Sequence, residues 1–180
     1  MKRLRMAAKA AFHKRILHDS RGAAMVEFAI LAVLFIGMLI AVLDTGIMYF
    51  VGGSLDSNVR VTSRLIRTGQ ASDLGVTGAQ FKAKICDGLG GIANCASNLH
   101  VDVAVISRFE DADLASPVTA AGTIRTKEYF DIGSAGDIMV VRASLPWTPS
   151  FNVLSYAHAH LADGRTLLNS TAIFRIEPYN

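Results

Sequence analysis

The sequence is poor in several residues on which enzymes and metal proteins depend. Its 180 residues hold two cysteines, four prolines and one tryptophan, and charged residues make up 18%, against about a quarter in an ordinary globular chain. Two cysteines with no histidine in the same stretch do not fill a tetrahedral zinc shell. No serine lies in a G-x-S-x-G elbow. No carboxylates pair convincingly, since Glu110, Asp111 and Asp113 read as a solvated acidic turn. Gly88, Gly90 and Gly91 lack the strand-then-helix context and the spacing of a phosphate-binding loop. His158 and His160, two apart and near Asp163, would share a face in a strand and could reach a metal. Alanines surround them and no third ligand is evident. The chain is therefore expected to be no enzyme, with no metal and no cofactor.

Charge is scarcest between Gly22 and Leu55, where only Glu27 and Asp44 carry any. Sixteen consecutive residues, Phe28 to Leu43, are apolar or glycine. With its flanks the run extends over residues 23–51, roughly 43 Å as a helix, more than the hydrocarbon core of about 30 Å requires. Hydrophobic residues reach 51% and mean hydropathy is +0.35, and this run carries the excess. It is longer than the apolar core of a secretory signal, and no A-x-A site follows it. An uncleaved anchor is expected.

The net charge of +3 hides an asymmetry. Lys2, Arg3, Arg5, Lys9, Lys14, Arg15 and Arg21 precede the run, with Asp19 the only acid among them. Residues 52–180 hold 11 basic and 12 acidic residues. The basic cluster lies beside a membrane segment, which argues against nucleic acid as a partner and for lipid. The positive-inside rule places residues 1–22 in the cytoplasm and residues 52–180 outside. In a bacterium this is a single-pass inner-membrane protein with a periplasmic domain. That compartment is oxidising, so a Cys86–Cys95 disulfide is expected, two buried free thiols being the alternative.

Glu27 is the odd residue, because an acid inside a membrane segment is costly and commonly functional. It can sit hydrated at the interface. Its surroundings suggest more. Arg21-Gly22-Ala23-Ala24-Met25-Val26-Glu27-Phe28 is a basic leader, a glycine, four small or apolar residues, a glutamate and an aromatic, which is the pattern a prepilin peptidase cuts. Cleavage after Gly22 would leave Ala23 as the new N-terminus. Glu27 lies four residues on, on the same helical face, where it can neutralise that amine in its own chain or in a neighbour.

Here the sequence resembles the TadE family of the Tad (Flp, tight-adherence) pilus system, type IVc. Three blocks carry the resemblance. They are Gly22 to Ala29; the helix exit Leu43-Asp44-Thr45-Gly46 with Asn58 to Ala71, an Arg-bearing helix ending at Thr68-Gly69; and the close from Ser170 to Tyr179, which contains Phe174-Arg175-Ile176-Glu177-Pro178. Many relatives have a proline early in the apolar run, and Leu31-Ala32-Val33-Leu34 has none, so a straighter helix is expected. The resemblance implies a minor pseudopilin acting in pilus assembly and surface adherence. Its partners would be the major Flp pilin, a second minor pseudopilin, the prepilin peptidase and the inner-membrane assembly platform. The alternative is a single-span, membrane-anchored binding or adhesion protein that never enters a filament.

Past the membrane, Leu55, Val59, Thr62, Leu65 and Ile66 share a helical face. Arg60, Arg64 and Arg67 form a stripe, either a solvated face or a contact edge for a partner subunit or anionic headgroups. Gly69 should stop the helix. A second helix is predicted over Gly78–Asp87, followed by a glycine loop stapled by the cysteines. Strands are predicted over 99–106, over 138–145 with Pro146 ending the strand, and within 167–176. Glu110 to Ser134 reads as a long excursion with a short strand near Ile124. The segment 146–160, with Trp147, Phe151, Leu154 and Tyr156, reads as aromatic loop or helix. The expected class is α+β and pilin-like, a long N-terminal transmembrane helix packed on a small antiparallel sheet.

Overall fold

The computed structural model describes residues 22–112, 115–125, 128–148 and 161–178. The leader residues Lys2 to Arg21, the aromatic segment from Phe151 to Tyr156, and His158 and His160 lie outside them. The chain divides into two compact units, Met1–Leu43 and Asp44–Asn180.

One helix, α1 (Ala23–Arg67), runs from the first unit into the second. With neither proline nor a helix-stopping cap inside it, nothing in the sequence interrupts its backbone hydrogen bonds. In the first unit its large apolar side chains face outward, with Phe28 73%, Leu34 68% and Leu43 64% exposed. Apolar surface on that scale needs an apolar environment, and α1 is long and apolar enough to cross a membrane. Residues 23–43 alone measure about 31 Å as a helix, close to the bilayer core. In the second unit, burial against protein begins at Met48 and Val51.

In that unit α1 turns its predicted face inward. Leu55, Val59, Thr62 and Ile66 are buried, and Leu65 packs at the margin. The helix ends where glycine was expected to end it: Gly69 takes φ 78° and its N–H donates to Ile66 O at 3.1 Å. After a single turn, α2 (Gln70–Asp73), Thr77 opens α3 (Gly78–Asp87) with a capping box. The Gln80 N–H donates to Thr77 Oγ1 at 3.3 Å and the Thr77 N–H to Gln80 Oε1 at 2.9 Å. These bonds satisfy two otherwise orphaned donors. Val76 before the cap and Phe81 after it are both in the core.

A 3₁₀ turn (Ile92–Asn94) and α4 (Cys95–Asn98) lead into the sheet. Its strands are β1 (His100–Ile106), β2 (Ile138–Trp147) and β3 (Thr166–Arg175), antiparallel and ordered β1-β2-β3. The core joins α1, α3 and the sheet face carrying Val103, Met139, Val141, Ala143 and Leu145. Leu168, Ala172 and Phe174 of β3 pack against it, as period two requires. Each fully buried Leu, Ile or Phe contributes roughly 1.5–3 kcal/mol.

Two expectations need correction. Pro146 does not end β2, which continues to Trp147 with Pro146 opposite Leu167. The β1 ladder stops at the His100–Ser144 pair. Beyond it β2 has β3 alone as a sheet neighbour among the described residues, and a proline is tolerated on such an edge. Ile124 lies in an isolated bridge with Val118, not in a strand. The excursion instead reaches the sheet at Phe130, bridged to Val103, whose ring lies 5.6 Å from that of Phe81.

Candidate assembly site

Three groups of residues were singled out from the sequence, and they occupy separate places. The first is at the start of α1. Ala23 is its first residue, and Ala23 and Glu27 are one helical turn apart, both exposed. No acid occupies the first turn, so Glu27 is the nearest carboxylate to it within the helix. The arrangement fits a short-range ion pair with a free amine at Ala23.

The second is the disulfide. Cys86, in the last turn of α3, is bonded to Cys95 at the start of α4, with Cα atoms 5.5 Å apart. The enclosed loop needs its glycines, since Gly90 and Gly91 take φ 61° and 78° and a Cβ on Gly88 would overlap the Asn58 amide. Asn58 cannot swing away cheaply, because its Nδ2 donates to Ser54 O at 2.8 Å.

The third is the arginine stripe. Arg60 is held by Asp56 one turn earlier at 2.9 Å. Arg67 pairs with Glu177 at 2.9 Å, while the Glu177 N–H donates to Arg67 O at 2.9 Å. Arg64 is exposed and makes no side-chain bond among the described residues.

These contacts explain the ending of the chain. Arg175 Nε donates to Gly136 O at 2.7 Å, Ile176 is 2% exposed, and Glu177 closes on Arg67. The Asn58–Ala71 part of the second block and the third block thus meet at Arg67 and Glu177, where the end of α1 contacts the segment after β3. Sequence reading assigned both blocks without pairing them. It also missed Asp56, whose Oδ1 accepts from Ser170 Oγ of β3 at 2.8 Å across 114 residues.

Donation from Arg60, then from Ser170, holds the Asp56 carboxyl below its ordinary value of 3.8. A depressed value means that Asp56 stabilises the fold fully above the ordinary carboxylate range and loses that contribution as pH falls through the depressed value. The side chain is 43% exposed, so solvent screening keeps the effect near 1 kcal/mol. Asp56→Asn is expected to lower stability by about that amount at pH 7, with the gap closing in acid. Denaturant titrations of the full chain in detergent, at a series of pH values, measure it; a pH-independent gap would contradict the assignment.

No group of three His, Cys, Asp or Glu that could hold a metal occurs among the described residues. Asp163, considered beside His158 and His160, is instead engaged by Arg165, whose Nε donates to it at 2.7 Å. The backbone N–H of Arg165, followed by its guanidinium, lowers the Asp163 carboxyl pKa.

Residues 22–64 match the family model described as TadE-like protein. Over that segment the chain is TadE-like. The match opens at Gly22, the residue before the expected new N-terminus, and closes at Arg64, so it takes in nearly all of α1. The rest of the chain, including the sheet and the Ser170–Pro178 close, lies beyond it. Neither the curated proteins nor the solved structures contain a significant match.

Proposed function

We propose that the chain is a minor pseudopilin of a Tad-type pilus, cleaved after Gly22 by a prepilin peptidase and acting in pilus assembly for surface adherence. The observation that carries this reading is the TadE-like match over residues 22–64, on a helix whose first 21 residues present apolar side chains and one acid, Glu27. In this reading the helix crosses the inner membrane with the basic leader in the cytoplasm. The Ala23 amine and the Glu27 carboxylate form a charge pair that lets subunits pack side by side in lipid. An unpaired charge there is costly and a paired one much less so. The role is structural, with no reaction assigned to the folded unit. The partners are other pilins and pseudopilins, the peptidase and the membrane assembly platform.

N-terminal sequencing of the membrane-bound protein, from cells with a working prepilin peptidase, tests the reading. The expected first residue is Ala23. An intact Met1, or a cut after Leu43, would favour an anchored binding or adhesion protein that stays out of any filament.

A further inference from the structure

The arginine stripe borders a cleft of about 260 Å³ on the folded unit. On one side are Ser63 and Arg64 of α1; on the other are Ala172, Ile173 and Phe174 of β3. Successive strand residues point to opposite faces of a sheet. Three in a row can line one cleft only if it runs along the strand's edge. β3 is an edge strand, paired with β2 alone among the described residues.

Two groups in the cleft have no partner among the described residues. Arg64 is the one member of the stripe without a carboxylate among the described residues, since Asp56 holds Arg60 and Glu177 holds Arg67. Ser63 is 3% exposed, and its Oγ has no hydrogen-bond partner among the described residues. A buried hydroxyl without a partner is costly and uncommon. A guanidinium fork beside a hydroxyl matches a carboxylate, to which both can donate.

We propose that this cleft takes an extended acidic segment of a partner subunit, its backbone lying along β3 and one carboxylate held by Arg64 and Ser63. Strand addition to an open edge supplies affinity from main-chain bonds, and side-chain pockets supply selectivity. Position favours protein over lipid phosphate. Arg64 lies about 30 Å along α1 from Asp44, and the headgroup layer is roughly 5–8 Å deep. An average tilt of about 20° shortens that reach by only ~2 Å. The inference deepens the pseudopilin reading by naming a subunit-binding surface.

The full chain in phosphatidylcholine nanodiscs, which carry no net anionic lipid, would be titrated with a labelled, capped Val-Glu-Val-Glu-Val-Glu peptide and followed by fluorescence anisotropy. Saturable binding is expected, weakened at least tenfold when Gln replaces Glu in the peptide. Arg64→Gln should weaken it at least tenfold and Arg64→Lys by less. Ser63→Ala should weaken it about threefold while melting no lower than wild type, since it removes an unsatisfied hydroxyl. Absence of binding, equal binding by the Gln peptide, or equal binding by Arg64→Gln would overturn the proposal. So would a peptide that fails to bind while Arg64→Gln loses attachment to phosphatidylglycerol vesicles, the result for a lipid site. Cleavage at Ala23 is read separately in cells, so failure here leaves the pseudopilin reading standing.

Discussion

Replacing Glu27 with alanine is expected to leave the chain in the membrane and to cut surface pili at least about tenfold. Insertion should survive because the apolar run from Phe28 to Leu43 is untouched and loss of an acid makes the span easier to bury. Assembly should not survive. Removing one partner of a buried pair leaves the other charge uncompensated, at a cost of roughly 3–5 kcal/mol. Hydration near the membrane surface reduces that figure, and about 1.4 kcal/mol already corresponds to tenfold. Glu27→Asp, which keeps the charge on a shorter arm, should retain part of the function. Sheared pili quantified by immunoblot, beside the membrane fraction of the same cells, give both readouts. Normal piliation in Glu27→Ala would mean that the carboxylate simply sits hydrated at the interface.

The second large effect concerns the disulfide. Converting Cys86 and Cys95 together to alanine is expected to destabilise the folded unit by about 2–3 kcal/mol, the loop-entropy value for a closure of this length; the bonded residues are nine apart. For a unit of this size the melting midpoint should fall on the order of 10 °C. Calorimetry of the full chain in detergent measures it, and non-reducing peptide mapping should recover Cys86 linked to Cys95. A double variant melting within about 2 °C of wild type would show that the loop packs on Asn58 and the core without help.

Much of this architecture could be read locally. The inward face of α1, its stop at Gly69 and the limits of α3 all follow from side-chain period and caps within a few residues. So does the period-two face of β3 at Leu168, Ala172 and Phe174. The Cys86–Cys95 link was legible because two cysteines allow one pairing. Pro146 was misread because a proline ends a strand only where its N–H would be needed. That depends on where β1 stops, which lies forty residues and more away in sequence. The bond between Asp56 and Ser170, and the closure of Glu177 on Arg67, belong to no local pattern. Each residue looks like an ordinary surface polar group until α1 and β3 are brought side by side. Ser63 was invisible for a related reason, since the cleft it lines has β3 as its other side. At the candidate site, the sequence offers Gly22, Ala23, Glu27 and the arginines as residue types and spacings only. Which arginine is spoken for, and by what, was not.

The contacts of β3 set an order of events for making the molecule. α1 precedes every other described element and β3 follows them all, yet the two are fastened at Asp56–Ser170 and Arg67–Glu177. Contacts spanning so much chain form late and slowly. Until β3 arrives, β2 lacks one neighbour and the core lacks the Leu168, Ala172 and Phe174 side chains. The helix can therefore form while the core is still open, and the fold is completed only once Glu177 is in place. A chain that stopped short of β3 would hold a finished α1 beside an open core.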